Sequence, residues 1–238
     1  MFCIEPLKLL TMTEIQEEVI EIIEKELHFG FMEEDELLEE VLDTFLDEDI
    51  DPKWIGERVH HMYVERMEEI DEWDPEEAND FDRLANAFDE LCDHKIIAIH
   101  RAGYTDEDAI EEITEAFKGL AERGVRPKGY VYYHGGHLEK VLDEEKPRLD
   151  LVFGAMTKAS SQVRGVGNLI SETLQRYGLE VRWNGNPGDN IRIIDIDWQK
   201  EPDDEDWGID RAISIISGED EVEVTDSDDI VDALDIED

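Results

Sequence analysis

"KIIAIHRAGYTDEDAIEEITEAFKGLAERGVRPKGYVYYH", residues 95–134, changes its apolar period twice. "KIIAIHR" (95–101) is a short β-branched run of strand type, and "GYVYYH" (129–134) is a second one. Between them "YTDEDAIEEITEAFKGLAERG" has helical spacing, with Thr105 placed to cap its start and Gly124 its end. This stretch predicts a sheet with helices packed on it.

Downstream the same alternation continues. A short helix is expected around "HLEKVLDEE", a strand over 149–154, and a helix within "SSQVRGVGNLISETLQRYG" that Gly178 stops. "LEVRW" and "NIRIIDIDW" flank "NGNPGD", a strong hairpin signal, so strands 179–183 and 191–198 are expected side by side. The sheet is mixed, with about five strands.

Upstream the pattern is helical. "TEIQEEVIEIIEKEL" places Ile15, Val19, Ile22, Ile23 and Leu27 on one face. "EEDELLEEVLDTFLDED" (33–49) repeats the device with Leu37, Leu38, Val41, Leu42, Phe45 and Leu46. Asp51-Pro52 opens a third helix, and Asp74-Pro75 restarts a fourth through "FDRLANAFDEL". The expected class is α+β: an acidic helical unit over 1–94, packed on a sheet unit over 95–200 as one compact domain. An acidic tail over 201–238 follows, in which "DDEDWGIDRAISIISG" has the pattern for one more short helix.

Charge is distributed unevenly along this plan. The 238 residues carry 66 acids and 22 bases, a net charge of -44. Residues 1–123 hold 39 acids and 10 bases, 124–200 hold 10 and 11, and 201–238 hold 17 and 1. A salt-adapted protein spreads acid over every exposed face, whereas a protein that presents acid to a basic partner can leave other faces neutral. Segregation therefore favours the partner over acidity that serves solubility alone. Direct nucleic-acid binding is disfavoured, because phosphate contacts need clustered Lys and Arg.

Compartment and targeting follow from little. Cys3 and Cys92 form no disulfide framework and suit a reducing cytoplasm. "MFCIEPLKLL" is too short to span a membrane and lacks the basic start of a signal peptide. The expectation is a soluble cytoplasmic protein.

Several residues are candidates for chemistry. "YYHGGH" ends a strand and begins a helix, where His134 and His137 can meet an anion or a metal, with Tyr104, the 130–133 tyrosines and Arg164 as neighbours. As structure alone, the glycines make the turn and His137 helps to cap the helix. Cys92, His94 and His100 match no common zinc spacing, and the consecutive His60 and His61 point in different directions, one expected buried and one exposed. "RGVGNLISETL" lacks the third glycine of a dinucleotide fingerprint. Asp195 and Asp197 alternate on a strand and are expected to face water. No cofactor and no metal is expected.

Together "HFGFMEEDEL" (28–37), "AGYTDEDA" (102–109), "KGYVYYHGGHLEKVL" (128–142), "LDLVFGA" (149–155) and "GLEVRWNGNPGDNIRI" (178–193) resemble an uncharacterised bacterial family, one of the domains of unknown function. The resemblance covers about residues 28–198. It implies one compact α+β domain and no activity. Some such relatives carry a cysteine cluster after the strand matching "KIIAIH"; this chain has none there, so the resemblance implies no metal site.

Three readings remain, one of them a salt-adapted protein whose acidity serves solubility only, beside two functions from different classes. The first is a non-enzymatic acidic protein that engages a basic protein surface, in an inhibitor, immunity-type or nucleic-acid-mimic role, through Glu33, Glu34, Glu36, Glu40, Asp43 and Asp47. The run 33–49 has ten acids and no base, so the helix accepts i,i+4 repulsions of roughly 0.2–0.5 kcal/mol each. The second is an enzyme with its pocket at the strand ends, around His134, His137, Tyr104 and Arg164.

Overall fold

In the computed structural model, which describes residues 13–74, 79–143, 145–157 and 159–218, three amphipathic helices lead into a five-stranded sheet. Helix α1 (Glu14–Phe29) begins at a capping box in which Thr13 Oγ1 accepts from Gln16 N–H and Gln16 Oε1 accepts from Thr13 N–H. Helices α2 (Glu34–Thr44) and α3 (Pro52–Ile70) follow, the latter capped by Asp51. Val19, Ile23, Leu27, Leu37, Val41, Phe45, Ile55 and Val59 bury together as their common core. Each such side chain contributes roughly 1.5–3 kcal/mol of transfer free energy, enough to hold three short acidic helices that would not persist alone.

Two expectations change here. Helix α2 ends at Thr44, short of Asp49, so Leu46 leaves the apolar stripe and is 76% exposed. Both His60 and His61 are exposed, His60 at the rim of α2 beside Glu34 and His61 beside Glu65 of its own helix.

Helix α4 (Asp80–Asp93), capped by Asn79, belongs to the other core. Leu84, Ala87, Phe88 and Leu91 bury against strand β1 (Ile96–Ile99), so the boundary expected at residue 94 does not divide the cores. The cause is the link. Only His94 and Lys95 separate α4 from β1, and Lys95 at φ 65° reverses the chain, which folds the helix back onto the strand it precedes. Pro75, the expected start of this helix, lies outside the described residues.

Strand β1 runs parallel to β2 (Gly129–Tyr132), joined by α5 (Asp106–Glu122). Helix α6 (Gly135–Leu138) and a 3-10 turn (Glu139–Leu142) lead to β3 (Arg148–Ala155), antiparallel to β2. Helix α7 (Ser160–Arg176) precedes the hairpin of β4 (Val181–Arg182) and β5 (Ile191–Ile194), giving the order β1-β2-β3-β5-β4. The sheet is mixed and the fold is α+β. Strand β5 stops at Ile194 because Asp195 adopts φ 51°, so Asp195 and Asp197 do not share a strand face.

Helix α8 (Ile209–Ser217) buries Ala212, Ile213 and Ile216 in the sheet core, and its Arg211 Nη2 lies 2.7 Å from Asp89 Oδ2 of α4. Residues 201–218 are therefore part of the packed domain. The tail expected over 201–238 does not begin at 201, and residues 219–238 lie outside the described residues.

The helical core and the sheet core meet at an aromatic cluster. Lys200, 1% exposed, holds its Nζ 4.9 Å from the rings of Phe31 and Phe81 and 5.0 Å from Trp207, and donates to Asp203 Oδ2 at 2.9 Å. Burial lowers the lysine's pKa and Asp203 opposes that shift. Trp198 Nε1–H donates to Phe29 C=O at 3.2 Å, tying the end of α1 to the sheet unit.

Candidate functional site

The end of β2 carries the His-Gly-Gly-His turn. Gly135 N–H donates to Gly103 C=O at 3.0 Å and Gly136 N–H to Tyr104 C=O at 3.2 Å, so this turn zips to the loop before α5. A Cβ at Gly135 would stand 2.5 Å from the Tyr104 ring, which explains the glycine. His134 and His137 stack, their ring centroids 3.8 Å apart, and Nδ1 of each is buried without a partner. Burial lowers both imidazoles, His137 to about 4. His134 Nε2 faces Asp106 Oδ1 at 3.6 Å, and Tyr132 Oη–H donates to the same oxygen at 3.0 Å.

Of the four residues proposed for an enzyme pocket, three lie close together. Tyr104 packs over the turn, with its hydroxyl bonded to Glu139 and Lys25 Nζ 3.1 Å away. Arg164 is exposed on α7, two residues before Val166, and Val166 packs at Gly129. His134 follows Gly129 by five residues, roughly 16 Å of extended chain. Arg164 therefore does not join the histidines. His137 does not cap a helix; His134 occupies that N-cap without a side-chain bond.

The other soft ligands also diverge. Cys92 Sγ–H donates to Ala98 C=O at 3.9 Å, and burial raises its thiol to about 12. His94 is half exposed beside Glu90, while His100 Nδ1 pairs with Tyr133 Oη at 2.8 Å in an aromatic pocket. Among the described residues no three His, Cys, Asp or Glu side chains are grouped to hold a metal ion. Gly165 and Gly167 lie inside α7, where Gly167 makes room for the Trp183 ring.

A cleft of about 980 Å³ lies where α1 and α2 approach the loop after β1 and residues 205–208. Glu36, Glu39, Glu40 and Asp43 of α2 line it, facing Glu112 of α5 and Glu205 and Asp206. Its two cations are already engaged. Arg101 Nη2 pairs with Glu26 Oε2 at 2.6 Å, and Lys25 Nζ lies 3.3 Å from Glu139 Oε1. Burial raises the carboxyls of Glu26 and Glu112, Arg101 opposing the shift at Glu26.

The six proposed partner-binding acids thus separate. Glu36, Glu40 and Asp43 line the cleft, Glu33 N–H bonds Glu36 Oε2 as a cap, Glu34 Oε1 lies 2.8 Å from His60 Nδ1, and Asp47 is exposed beyond the end of α2. Sequence reasoning missed Glu26, 6% exposed, although it sits seven residues after Val19 on the apolar stripe of α1. A charge in that register was the signal. Glu205 and Asp206 had none, because only tertiary contact brings them to α2.

No helix among the described residues is long and apolar enough to cross a membrane. No curated protein and no solved structure matches the chain. Residues 12–202 match the model of a family described as a domain of unknown function, DUF6891. That span contains the sheet, the His-Gly-Gly-His turn and the helices that wall the cleft, and the chain belongs to this family.

Proposed function

We propose that the protein is a non-enzymatic binding protein that uses the acidic wall of α2 and the adjoining cleft to engage a basic protein, in an inhibitor-type role. The observation that supports this reading most is the convergence of carboxylates from α2, α5 and residues 205–206 around one concave space whose own cations are paired internally. Such an arrangement holds like charges together at a cost, and Lys or Arg side chains from a partner relieve it while steering fast association. An acidic track also occupies the binding surface that a basic partner offers to phosphates. The same reading gives a cytoplasmic protein with no direct affinity for nucleic acid.

The test is a pull-down from host lysate at about 0.05 M salt, followed by association kinetics with the captured protein. Capture of a basic protein that is released at high salt is expected. Replacing Glu36, Glu40, Asp43 and Asp47 by Lys leaves the fold intact and slows association at least about tenfold. Failure to retain any basic protein at low salt, or an unchanged rate in the variant, sinks the proposal.

A further inference from the structure

The outer half of the sheet carries the opposite charge. Along β3 and β5 the residues Leu149, Leu151, Ile191 and Ile193 are buried, so Arg148, Asp150 and Arg192 project from the other face. Strand register places Arg182 directly opposite Arg192, Arg192 opposite Asp150, and Arg148 opposite Ile194, one diagonal step from Arg192. With Lys146, these arginines line a groove of about 1030 Å³ closed on one side by the hairpin loop. Four bases of a chain that has only 22 meet there.

Acids stand among them: Asp189 and Asp195 share the groove's lining, and Asp150 and Glu180 pair with its arginines. Asp150, 6% exposed, accepts from Arg192 Nε at 2.9 Å and Lys140 Nζ at 2.7 Å, with Arg148 Nε at 4.0 Å. One buried carboxylate thus roots three cations, of which Arg192 remains largely exposed and Arg148 and Lys140 half-buried. Arg182 Nη2 reaches Glu180 at 3.4 Å, both side chains being largely exposed. Asp189 of the loop is held by Asn184 Nδ2 at 2.6 Å. Like charges directly opposite on adjacent strands repel, so Arg182 beside Arg192 is a disfavoured pair in the unliganded protein.

We propose that this groove is a binding site for a compact polyanion, a small molecule with two or more phosphate or carboxylate groups. Guanidinium forks match the oxygens of both groups. Cross-strand neighbours stand about 5 Å apart and diagonal ones about 7–8 Å, so the three arginine stems extend over roughly 12 Å. That length suits a ligand with several linked charges, where a single phosphate engages only part of the row. The net charge of -44 does not defeat it, because at physiological ionic strength charges beyond about 8 Å are largely screened. The same acid repels a long polyanion that leaves the groove, which separates this ligand class from nucleic acid.

The experiment is calorimetric titration of the full chain at about 0.15 M salt with inorganic tripolyphosphate, citrate and orthophosphate as probes. A Lys146→Gln/Arg182→Gln variant accompanies it; both side chains are exposed, so its melting temperature stays at the wild-type value. One site for tripolyphosphate or citrate is expected, with orthophosphate at least about tenfold weaker and the variant weaker by a similar factor. Tighter tripolyphosphate identifies a phosphate ligand and tighter citrate a carboxylate ligand. Absence of binding by both at about millimolar concentration, or equal affinity in the folded variant, overturns the proposal.

Discussion

Gly30 is the residue on which the joint between the two cores turns. It ends α1 at φ 71°, and a Cβ there would stand 2.2 Å from Lys200 C=O. Any side chain meets both left-handed backbone strain and a backbone clash, so Gly30→Ala lowers stability by about 2–4 kcal/mol. Urea unfolding measures it, and a loss below about 1 kcal/mol contradicts the packing described. His137 carries a second prediction. Its folded pKa, about 4, lies below the ordinary 6.5, so the unfolded chain binds more protons between those values. The stability it contributes is full above pH 6.5 and is lost as the pH falls through about 4. In urea titrations the gap between wild type and His137→Gln therefore narrows from pH 7 to 4.5. A constant gap means that His137 titrates as an exposed imidazole.

At the scale of elements, α8 decides whether residues past 200 belong to the domain. Ile213 is 7% exposed, and its Cδ1 comes within 2.8 Å of where a Cβ on Gly119 of α5 would stand. Truncation leaves a cavity between two helices and the sheet, so Ile213→Ala costs about 2–4 kcal/mol. Chemical denaturation measures the loss; a change within about 0.5 kcal/mol would place α8 outside the cooperative core. The pattern "DDEDWGIDRAISIISG" announces such a helix in the sequence, but not its burial. Helix α4 has the same history: its apolar face was legible, while its choice of β1 over α1–α3 followed from the two-residue link and the positive φ of Lys95. The pairing of β4 with β5 was legible, because the turn residues and the β-branched alternation are local properties, while the early end of β5 at Ile194 was not.

For the whole molecule, self-repulsion of 44 net charges is a screened, long-range term, distinct from the groove and cleft. Raising salt from about 0.01 to 0.15 M shortens the screening length from about 30 to 8 Å, so the unfolding midpoint rises over that range and then levels. A midpoint that keeps climbing into molar salt identifies salt adaptation as the purpose of the acid. By itself the sequence determined the α+β class, where the strands lie though not where β5 ends, the Thr105 cap and the segregation of charge, all of which rest on spacing along the chain. Tertiary structure alone decided that Arg164 stands apart from His134 and His137, that Glu205 and Asp206 face α2 across a cleft, and that Arg148, Arg182 and Arg192 share one sheet face. Strand order and helix docking set those neighbours, and both depend on which buried surfaces fit together, a property that no local period encodes.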